Sequence, residues 1–321
     1  MKISIPIEIR KEGGVYTFLS LFIKYIEENG HDYSANIDGS EDILFVNSWM
    51  VPFKIIKTAK KRNKSLKVLH RIDGSAKDYG RQGNADKIQS KANNLADITV
   101  FQSYYGKYAT TEKFSVIKND GPVIYNPVDI ELFTPDGELN NYPYKIKVCC
   151  ATFSTNPKKG RDIIYDLAEK YKTYDFLLCG RYDDMPVRAN IHPLGLFDKY
   201  ELAKVMRSSD IFLFPSQNET CPNVVIEAMA SGLPVIYHPS GGTHEIVGDC
   251  GLPLKSNFKE IVSNILNRRD DFATRARTRA VNEFRAEKIF HQYITAMSQT
   301  KRRSRNKRFF NYFSNRVRQN D

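Results

Sequence analysis

The sequence predicts an α/β protein with two doubly wound domains, each a parallel sheet covered by helices. Short apolar segments alternate with helical segments, and this alternation starts again near residue 145. A length of 321 residues suits two domains of ordinary size. Hydrophobic residues make up 41% of the chain and charged residues 26%, which excludes a disordered chain and allows two cores.

The first series of strands and helices occupies the N-terminal part of the chain. Isoleucines alternate with other residues from position 3 to 9, which is the period-two pattern of a strand. After Gly13-Gly14, apolar residues recur at helical spacing, and this helix is predicted to end at Asn29-Gly30. Further strands are predicted at 43–46, 67–69, 98–101 and 123–125, with helices near 52–64, 84–96 and 103–112.

The second series follows a turn-rich segment at 126–144. We expect a first domain at 1–130, a second domain at 131–285, and a terminal helix with a basic aromatic tail at 286–321. Ligands of such sheets bind beyond the carboxyl ends of the strands, so functional residues are expected in the loops after strands. Strands of the second series are predicted at 147–151, 175–180, 210–214 and 234–238, with helices from 160, near 198–207, at 222–230 and from about 257.

Cysteine usage and hydropathy bear on the compartment. The five cysteines form no CxxC pair, and Cys149, Cys150 and Cys179 lie in apolar strand segments, so neither a disulfide framework nor a zinc site is expected. No apolar run reaches the roughly 18 residues of a spanning helix, and the N-terminus lacks the apolar core of a secretory signal. These observations predict a soluble cytoplasmic protein, with peripheral attachment at the inner face of the membrane as a further expectation.

The net charge of +11 is concentrated in two basic stretches. Residues 301–321 contain eight Lys/Arg and one Asp, whereas the stretch from Lys54 to Lys67 contains seven Lys/Arg and no acid. Such stretches indicate an anionic partner, either a membrane surface or a nucleic acid. The tail also contains aromatic residues, which favours an interfacial helix on an anionic membrane over a disordered solubilising tail. These aromatic residues are Phe309, Phe310, Tyr312 and Phe313.

The most informative segment is 215–247, which contains a short helix with an acid in its middle. Residues 223–231 are apolar at almost every position, so this helix is expected to be buried nearly all round. A helix dipole stabilises an acid near the helix start by roughly 0.3–1 kcal/mol, which is less than the cost of burying an unpaired carboxylate. Glu227 is therefore expected to accept hydrogen bonds from hydroxyl groups. Glu219 lies eight positions earlier. Between them, the backbone N–H groups in the segment from Thr220 to Asn223, to which Pro222 contributes none, favour an anionic phosphate at the helix start.

A second candidate site is the loop Ser154-Thr-Asn-Pro-Lys-Lys159-Gly160, which follows a strand and opens a helix. Lysines at a helix start oppose the helix dipole, which argues against a purely structural role for Lys159. A diphosphate would reverse that balance, because lysine binds phosphate as a point charge. Lys158 is interpreted as a solvated residue.

These two segments resemble the large retaining family of GT-B glycosyltransferases called family four, or glycosyl transferases group 1. Glu219 and Glu227 match its E-x7-E element within the run ExCPxxxxEAMAxGxPV…GGxxE, and Lys159 matches the lysine of its xKG phosphate loop. The resemblance implies that Glu227 binds the donor ribose and that Glu219 contacts the transferred sugar near the reaction centre. The family often has an arginine shortly before this lysine, where the present chain has Phe153-Ser154. The missing cation is expected from elsewhere, for instance from Arg181.

Further elements resemble the same family. The Gly13-Gly14 pair matches a glycine loop that lets the backbone approach the donor phosphates and the acceptor. Segment 123–135 matches an inter-domain connection, to which we assign no chemistry. In that family a histidine of the first domain lines the cleft near the transferred sugar, and His70 is the candidate here, against the alternative of a packing role. Glu245 is either another cleft carboxylate or a cap on the helix that follows.

The resemblance implies a GT-B fold, with two Rossmann-like domains facing a central cleft, and a UDP-, GDP- or dTDP-sugar donor. We expect metal-independent transfer of a hexosyl or deoxyhexosyl group, with retention, to a saccharide or lipid-linked acceptor in surface polysaccharide or glycolipid biosynthesis. Neither a cofactor nor a nucleic-acid partner is expected, and Asp183-Asp184 is interpreted as solvated rather than metal-binding. The predicted catalytic residues are Glu219, His70 and Lys159. The predicted substrate-binding residues are Gly13, Gly14, Ser154, Lys159, Glu219, Thr220, Cys221, Pro222, Asn223 and Glu227.

Two alternatives remain open. One is another GT-B enzyme, such as a phosphorylase or an epimerase, although a phosphorylase is expected to have a longer chain and a cofactor lysine. The other is a non-enzymatic nucleic-acid-binding protein that uses the basic tail. Such proteins interleave aromatic and basic residues on a folded face, whereas here the charge lies at a terminus.

Overall fold

The structure is a computed structural model in which residues 1–10, 13–182 and 188–299 are described. It contains two parallel sheets flanked by helices, which confirms the prediction of two doubly wound α/β domains. The Asp183-Asp184 pair and the basic aromatic tail lie outside the described residues.

The first domain is formed around a parallel sheet. Its strands are β1 (Lys2–Ser4), β2 (Asp32–Ser34), β3 (Ile43–Asn47), β4 (Lys67–Ile72) and β5 (Ile98–Phe101), in the order β2-β1-β3-β4-β5. Its helices are α1 (Gly14–Glu28), α2 (Phe53–Arg62), α3 (Ala85–Asn93) and α4 (Tyr104–Tyr108), and a π-helical turn at Ala109–Lys113 extends α4. The apolar stripe predicted for α1 faces the core through Phe18, Leu19, Phe22 and Ile26.

The second domain repeats this architecture. Its strands are β6 (Lys147–Thr152), β7 (Asp175–Gly180), β8 (Ile191–Gly195), β9 (Ile211–Phe214), β10 (Val235–Tyr237) and β11 (Gly251–Pro253), in the order β11-β10-β9-β6-β7-β8. The turn of 3-10 helix at Pro157–Lys159 leads into the helices, which are α5 (Arg161–Lys170), α6 (Lys199–Arg207), α7 (Asn223–Ala230), α8 (Thr243–Val247), α9 (Phe258–Asn267) and α10 (Arg269–Arg279). Cys149, Cys150 and Cys179 are buried in the sheet, as their apolar surroundings predict.

The strands that the sequence does not predict lie at the sheet edges. β2 and β11 have three residues each and β8 has five, and all three occupy outer positions in their sheets, where burial on both faces is not required. The strand predicted at 123–125 is wrong, because this segment makes only an isolated bridge between Val123 and Phe101. Pro122 and Pro127 flank it and lack the N–H groups that would extend a ladder.

The helix α11 (Ala286–Ser298) returns the chain to the first domain. Its Phe290 and Tyr293 pack against Phe18 of α1, with ring centroids 5.5 and 5.4 Å apart. The core of the first domain is therefore completed by residues from the far end of the sequence. None of the helices in the described ranges is both long and apolar enough to cross a membrane.

Candidate active site between the domains

A cavity of about 370 Å³ lies between the domains, at the carboxyl ends of both sheets. This volume is within the range of small-molecule sites. Its lining includes residues that directly follow β4 and β6, namely Asp73 and Phe153. The structure brings together here most of the predicted binding residues: Gly13, Gly14, Ser154, Lys159, Glu219, Thr220, Cys221, Pro222 and Asn223.

Lys159 and Glu219 form an ion pair in this cavity. Lys159 ends the 3-10 turn, and Gly160 follows it in the left-handed conformation with φ of 68°. A Cβ at position 160 would lie 2.6 Å from the Pro215 carbonyl oxygen, so only glycine allows the loop to approach β9 this closely. The glycine thereby fixes the direction of Lys159.

Burial pushes both partners of this pair toward their neutral forms. It raises the pKa of Glu219 to about 8. It lowers the pKa of Lys159 to about 8, and the neighbouring Arg81 guanidinium acts in the same direction. Their direct contact opposes both shifts, so each group depends on the other for its charge. A ligand that takes Lys159 away leaves Glu219 as a carboxyl group with a raised pKa.

Glu227 lies outside the lining of the cavity. It is buried in α7, whose residues Val225–Ala230 are all buried as predicted. Its expected hydroxyl partners are replaced by an ion pair with Lys199 of α6, with Nζ 2.6 Å from Oε1. The second oxygen, Oε2, is buried and has no hydrogen-bond partner among the described residues. One acceptor of Glu227 is therefore left for a ligand.

The prediction that His70 lines the cleft is wrong. His70 is fully buried in β4, and its ring nitrogens lie 2.8 Å from the Ser48 carbonyl oxygen and 3.2 Å from the Asn93 side-chain nitrogen. Burial lowers the pKa of His70 to about 4. Side chains of a strand alternate between faces. In the His-Arg-Ile-Asp segment it is instead Arg71 and Asp73 that line the cavity.

Sequence reasoning missed most residues on the first-domain side of the cavity. These are Trp49, Arg71, Asp73, Ser75, Tyr79, Arg81 and Gln102. Asp73 directly follows β4 and accepts a hydrogen bond of 2.8 Å from Gln102, which itself follows β5. The rule that ligands meet the carboxyl ends of strands could have found both residues.

A hydrogen-bond network connects the domains at the start of α7. Asn126 donates to the Cys221 carbonyl oxygen and to Asn223 Oδ1, each at 2.7 Å, and accepts from Arg71 at 2.6 Å. Asn223 in turn donates to the Gly14 carbonyl oxygen at 3.1 Å. Asn126 belongs to the connection to which the sequence assigned no chemistry, and it holds α7 against the glycine loop.

Glu245 has the structural role of a cap, but on a different helix from the one considered. Its carboxylate accepts from the backbone N–H groups of Tyr104 and Tyr105, at 3.1 and 3.0 Å, at the start of α4 in the other domain. An acid at this position satisfies donors that a helix start leaves open. Glu245 therefore stabilises the contact between the domains.

Two other predictions concern cations. Arg181, considered as a replacement for the missing arginine, is not part of the cavity lining. Within residues 1–10, 13–182 and 188–299, no cluster of three or more His, Cys, Asp or Glu side chains is arranged to hold a metal ion.

Residues 145–271 match the family described as Glycosyl transferases group 1. The chain is 30% identical over 193 residues to an uncharacterized glycosyltransferase of Methanocaldococcus jannaschii, covering 51% of this chain and 53% of that protein. It is 47% identical over 53 residues to the sulfoquinovosyl transferase SQD2 of Arabidopsis thaliana, covering 16% of this chain and 10% of that protein. The chain thus spans about half the length, or less, of these curated relatives.

Solved structures resemble the whole described architecture. Sucrose-phosphate synthase from Thermosynechococcus elongatus aligns with a TM-score of 0.77 at 15% identity, over 92% of this chain and 97% of that chain. HepE of Anabaena, in complex with UDP-glucose, aligns with a TM-score of 0.74 at 15% identity, over 93% and 99% of the two chains. This likeness is one of fold, and it confirms the predicted GT-B fold. The sequence match and the architecture agree: residues 145–271 resemble the glycosyl transferases group 1 family, and the fold of the chain is that of GT-B proteins.

Proposed function

We propose that this protein transfers a sugar from a nucleotide-sugar donor to a saccharide or lipid-linked acceptor. The observation that carries this proposal is that Lys159, Glu219 and the start of α7 line one cavity between the domains. All three lie within residues 145–271, which resemble glycosyl transferases group 1. Lys159 is a cation in a largely buried site, and the helix start adds N–H donors, so a diphosphate is the ligand that the chemistry favours.

The ribose of the donor is assigned to Glu227. Its Oε2 lacks a partner among the described residues, while Oε1 is bound to Lys199. A ribose hydroxyl that donates to Oε2 would satisfy a buried acceptor that otherwise carries a desolvation cost. Binding at this point requires a small opening next to Val224, which lines the cavity one turn before Glu227.

In the proposed reaction, the bond between the anomeric carbon and a phosphate oxygen breaks while the acceptor oxygen bonds to that carbon. The proton of the acceptor hydroxyl passes to the departing phosphate. Lys159 stabilises the negative charge that develops on the leaving oxygen. Once Lys159 contacts phosphate, Glu219 loses its partner, and its raised pKa favours the protonated carboxyl, which can donate a hydrogen bond to the sugar.

Transfer without a metal ion and with retention is part of the proposal. Lys159 supplies the positive charge that a metal ion supplies in other glycosyltransferases, and retention rests on the family resemblance. We expect transfer to persist in excess EDTA and to fall steeply in Lys159→Ala, and we expect product NMR to report a retained anomer. Activity that EDTA abolishes and manganese restores, or an inverted anomer, would contradict this mechanism.

The donor is proposed to be a UDP-, GDP- or dTDP-sugar that delivers a hexosyl or deoxyhexosyl group. HepE of Anabaena was solved with UDP-glucose, which makes the uridine series the first to test. A donor at 100 times its dissociation constant stabilises a protein by about 2.7 kcal/mol, so a thermal-shift panel of the three nucleotide series will identify the base. No stabilisation by any of them would contradict the proposed function.

A role in surface polysaccharide or glycolipid biosynthesis would place the enzyme at an anionic membrane. The basic tail is the proposed contact, since each Lys or Arg near such a surface adds about 1 kcal/mol. Deleting the residues after Thr300 is expected to abolish sedimentation with anionic vesicles and to leave transfer to a soluble acceptor intact. Undiminished sedimentation would instead assign the contact to α2, where Lys54, Lys57 and Lys61 are exposed.

A further inference from the structure

The segment Asp73–Arg81 of the first domain lies against the phosphate loop of the second. Lys158 donates to the Asp78 carbonyl oxygen at 2.7 Å, and Asn156 donates to the Tyr79 carbonyl oxygen at 3.2 Å. Lys158, interpreted as solvated from the sequence, therefore helps to connect the domains. These contacts bring the end of the segment, Arg81, to the rim of the cavity next to Lys159.

The Arg81 guanidinium is exposed and stacks on two aromatic rings. Its Cζ lies 5.0 Å from the centroid of the Tyr79 ring and 5.8 Å from that of Trp49. Among the described residues, its side chain has neither a hydrogen bond nor an ion pair. All of its N–H donors thus remain available for a ligand in a position that two rings help to fix.

Lys159 approaches the same tyrosine. Its Nζ lies 5.4 Å from the Tyr79 ring centroid and 3.4 Å from the Tyr79 hydroxyl. The two cations are close enough for Arg81 to lower the pKa of Lys159, after the larger effect of burial. Placing two positive charges together costs free energy that an anion between them would recover.

The third positively charged residue of the cavity lining, Arg71, already has hydrogen-bond partners within the protein. Arg71 is 1% exposed, donates to the Asn47 and Asn126 side chains, and covers the ring of Phe18 at 4.0 Å. Within the described lining, Arg81 is therefore the guanidinium that faces open solvent. A guanidinium can hold phosphate oxygens in a bidentate arrangement, which lysine cannot.

We propose that Arg81 and Lys159 together clamp the diphosphate of the donor, one from each domain. This inference rests on the proposed function, because it assigns a ligand to the same cavity. Arg81 supplies from the first domain a second cation beside Lys159, because the other lysine of the phosphate loop, Lys158, is bonded to the Asp78 carbonyl oxygen. Donor binding then requires the two domains to be in contact, since each domain carries half of the clamp.

The test compares the binding of UDP and UMP to the full-length chain by calorimetry, with the guanosine or thymidine pair if that base is the one that binds. Arg81→Gln is expected to raise the dissociation constant of UDP at least about tenfold and to change that of UMP much less. Arg81→Lys should recover part of the loss. Arg62→Gln is the matched control, since Arg62 is an exposed arginine of α2, and it should leave both constants unchanged.

Other outcomes would overturn the proposal. An unchanged UDP constant in Arg81→Gln, accompanied by a raised KM for the acceptor, would assign Arg81 to an anionic acceptor. Equal weakening of UDP and UMP would point to a disturbed cavity instead of a diphosphate clamp. If the wild-type chain binds none of the nucleotides, the proposed function itself fails, which is distinguishable from failure of the clamp alone.

Discussion

The two sides of the cavity differ in how their residues are arranged along the chain. On the second domain, Lys159 and Glu219 each belong to a short segment that contains its own supporting features, a left-handed glycine in one case and a helix start in the other. On the first domain, Arg71, Asp73 and Arg81 gain their positions through contacts with distant segments.

This difference explains which residues can be predicted from sequence. A lysine that opposes a helix dipole and an acid inside an apolar helix are locally unfavourable, and local conflict indicates a ligand. An arginine in a polar loop is locally ordinary. Its significance arises only when the Asp73–Arg81 segment contacts the other domain.

The sharpest test of the second-domain side is Glu219→Ala. If Glu219 acts at the reaction centre, turnover should fall on the order of 10²–10³-fold, as expected for the loss of one transition-state interaction. Donor affinity should change far less, which separates this role from a purely structural pairing with Lys159. Steady-state kinetics together with calorimetry provide both numbers. Glu201→Ala, at an exposed side chain of α6, is the matched control. Near-full transfer by Glu219→Ala would contradict the assignment.

The fold was more predictable than the site, for physical reasons. Central strands of a parallel sheet must be apolar on both faces, so β3, β6 and β9 stand out in the sequence, whereas the edge strand β2, made of Asp-Tyr-Ser, does not. In the site, His70 and its neighbour Arg71 both lie within β4 and point to opposite faces, and the sequence alone does not fix which face meets the cavity.

A second prediction tests whether Glu227 contacts the donor although it lies behind the cavity lining. Glu227→Ala is expected to weaken donor binding by roughly 10–100-fold, since a hydrogen bond to a charged group contributes about 1.5–3 kcal/mol. The fold should survive, because the Lys199 left behind is partly exposed and can be solvated.

The comparison for Glu227→Ala is Lys199→Ala, which keeps the carboxylate and removes its partner. If Glu227 serves only to pair with Lys199, both variants should have the same small effect on donor affinity. Calorimetric titration with the donor separates these outcomes.

A third prediction concerns the contact between the two sides. Gly106 of α4 faces Thr220, and a Cβ at position 106 would lie 2.4 Å from Thr220 Cγ2. Gly106→Ala should therefore weaken the inter-domain contact by about 1–2 kcal/mol, or roughly tenfold in apparent donor affinity. Alanine favours a helix over glycine, so thermal stability should not fall in parallel.

Thr220→Ser removes the clashing methyl group and should restore affinity in the Gly106→Ala background. This rescue is measured as a double-mutant cycle on the donor dissociation constant. Additive effects of the two changes would mean that the domains do not need this contact to bind the donor.

The smallest expected effect concerns His70, the residue of the first domain that the sequence singled out. Its folded pKa of about 4 lies below the ordinary value of 6.5, so the unfolded chain binds more protons between these limits. Stability should therefore be complete above pH 6.5 and decrease as the pH falls toward 4. Between pH 7 and 5.5 the decrease attributable to His70 is about 1 kcal/mol. Denaturant unfolding at both pH values measures this decrease in the free energy of unfolding.

The His70→Gln variant should lose the part of the pH dependence of stability that His70 causes, and it should retain transfer activity at pH 7. His291 is an exposed histidine of α11, and His291→Gln is the control, which should behave as wild type. Loss of turnover in a folded His70→Gln protein would show that His70 is needed for catalysis. The sequence would then have identified a functional residue of the first domain in spite of its burial in the structure.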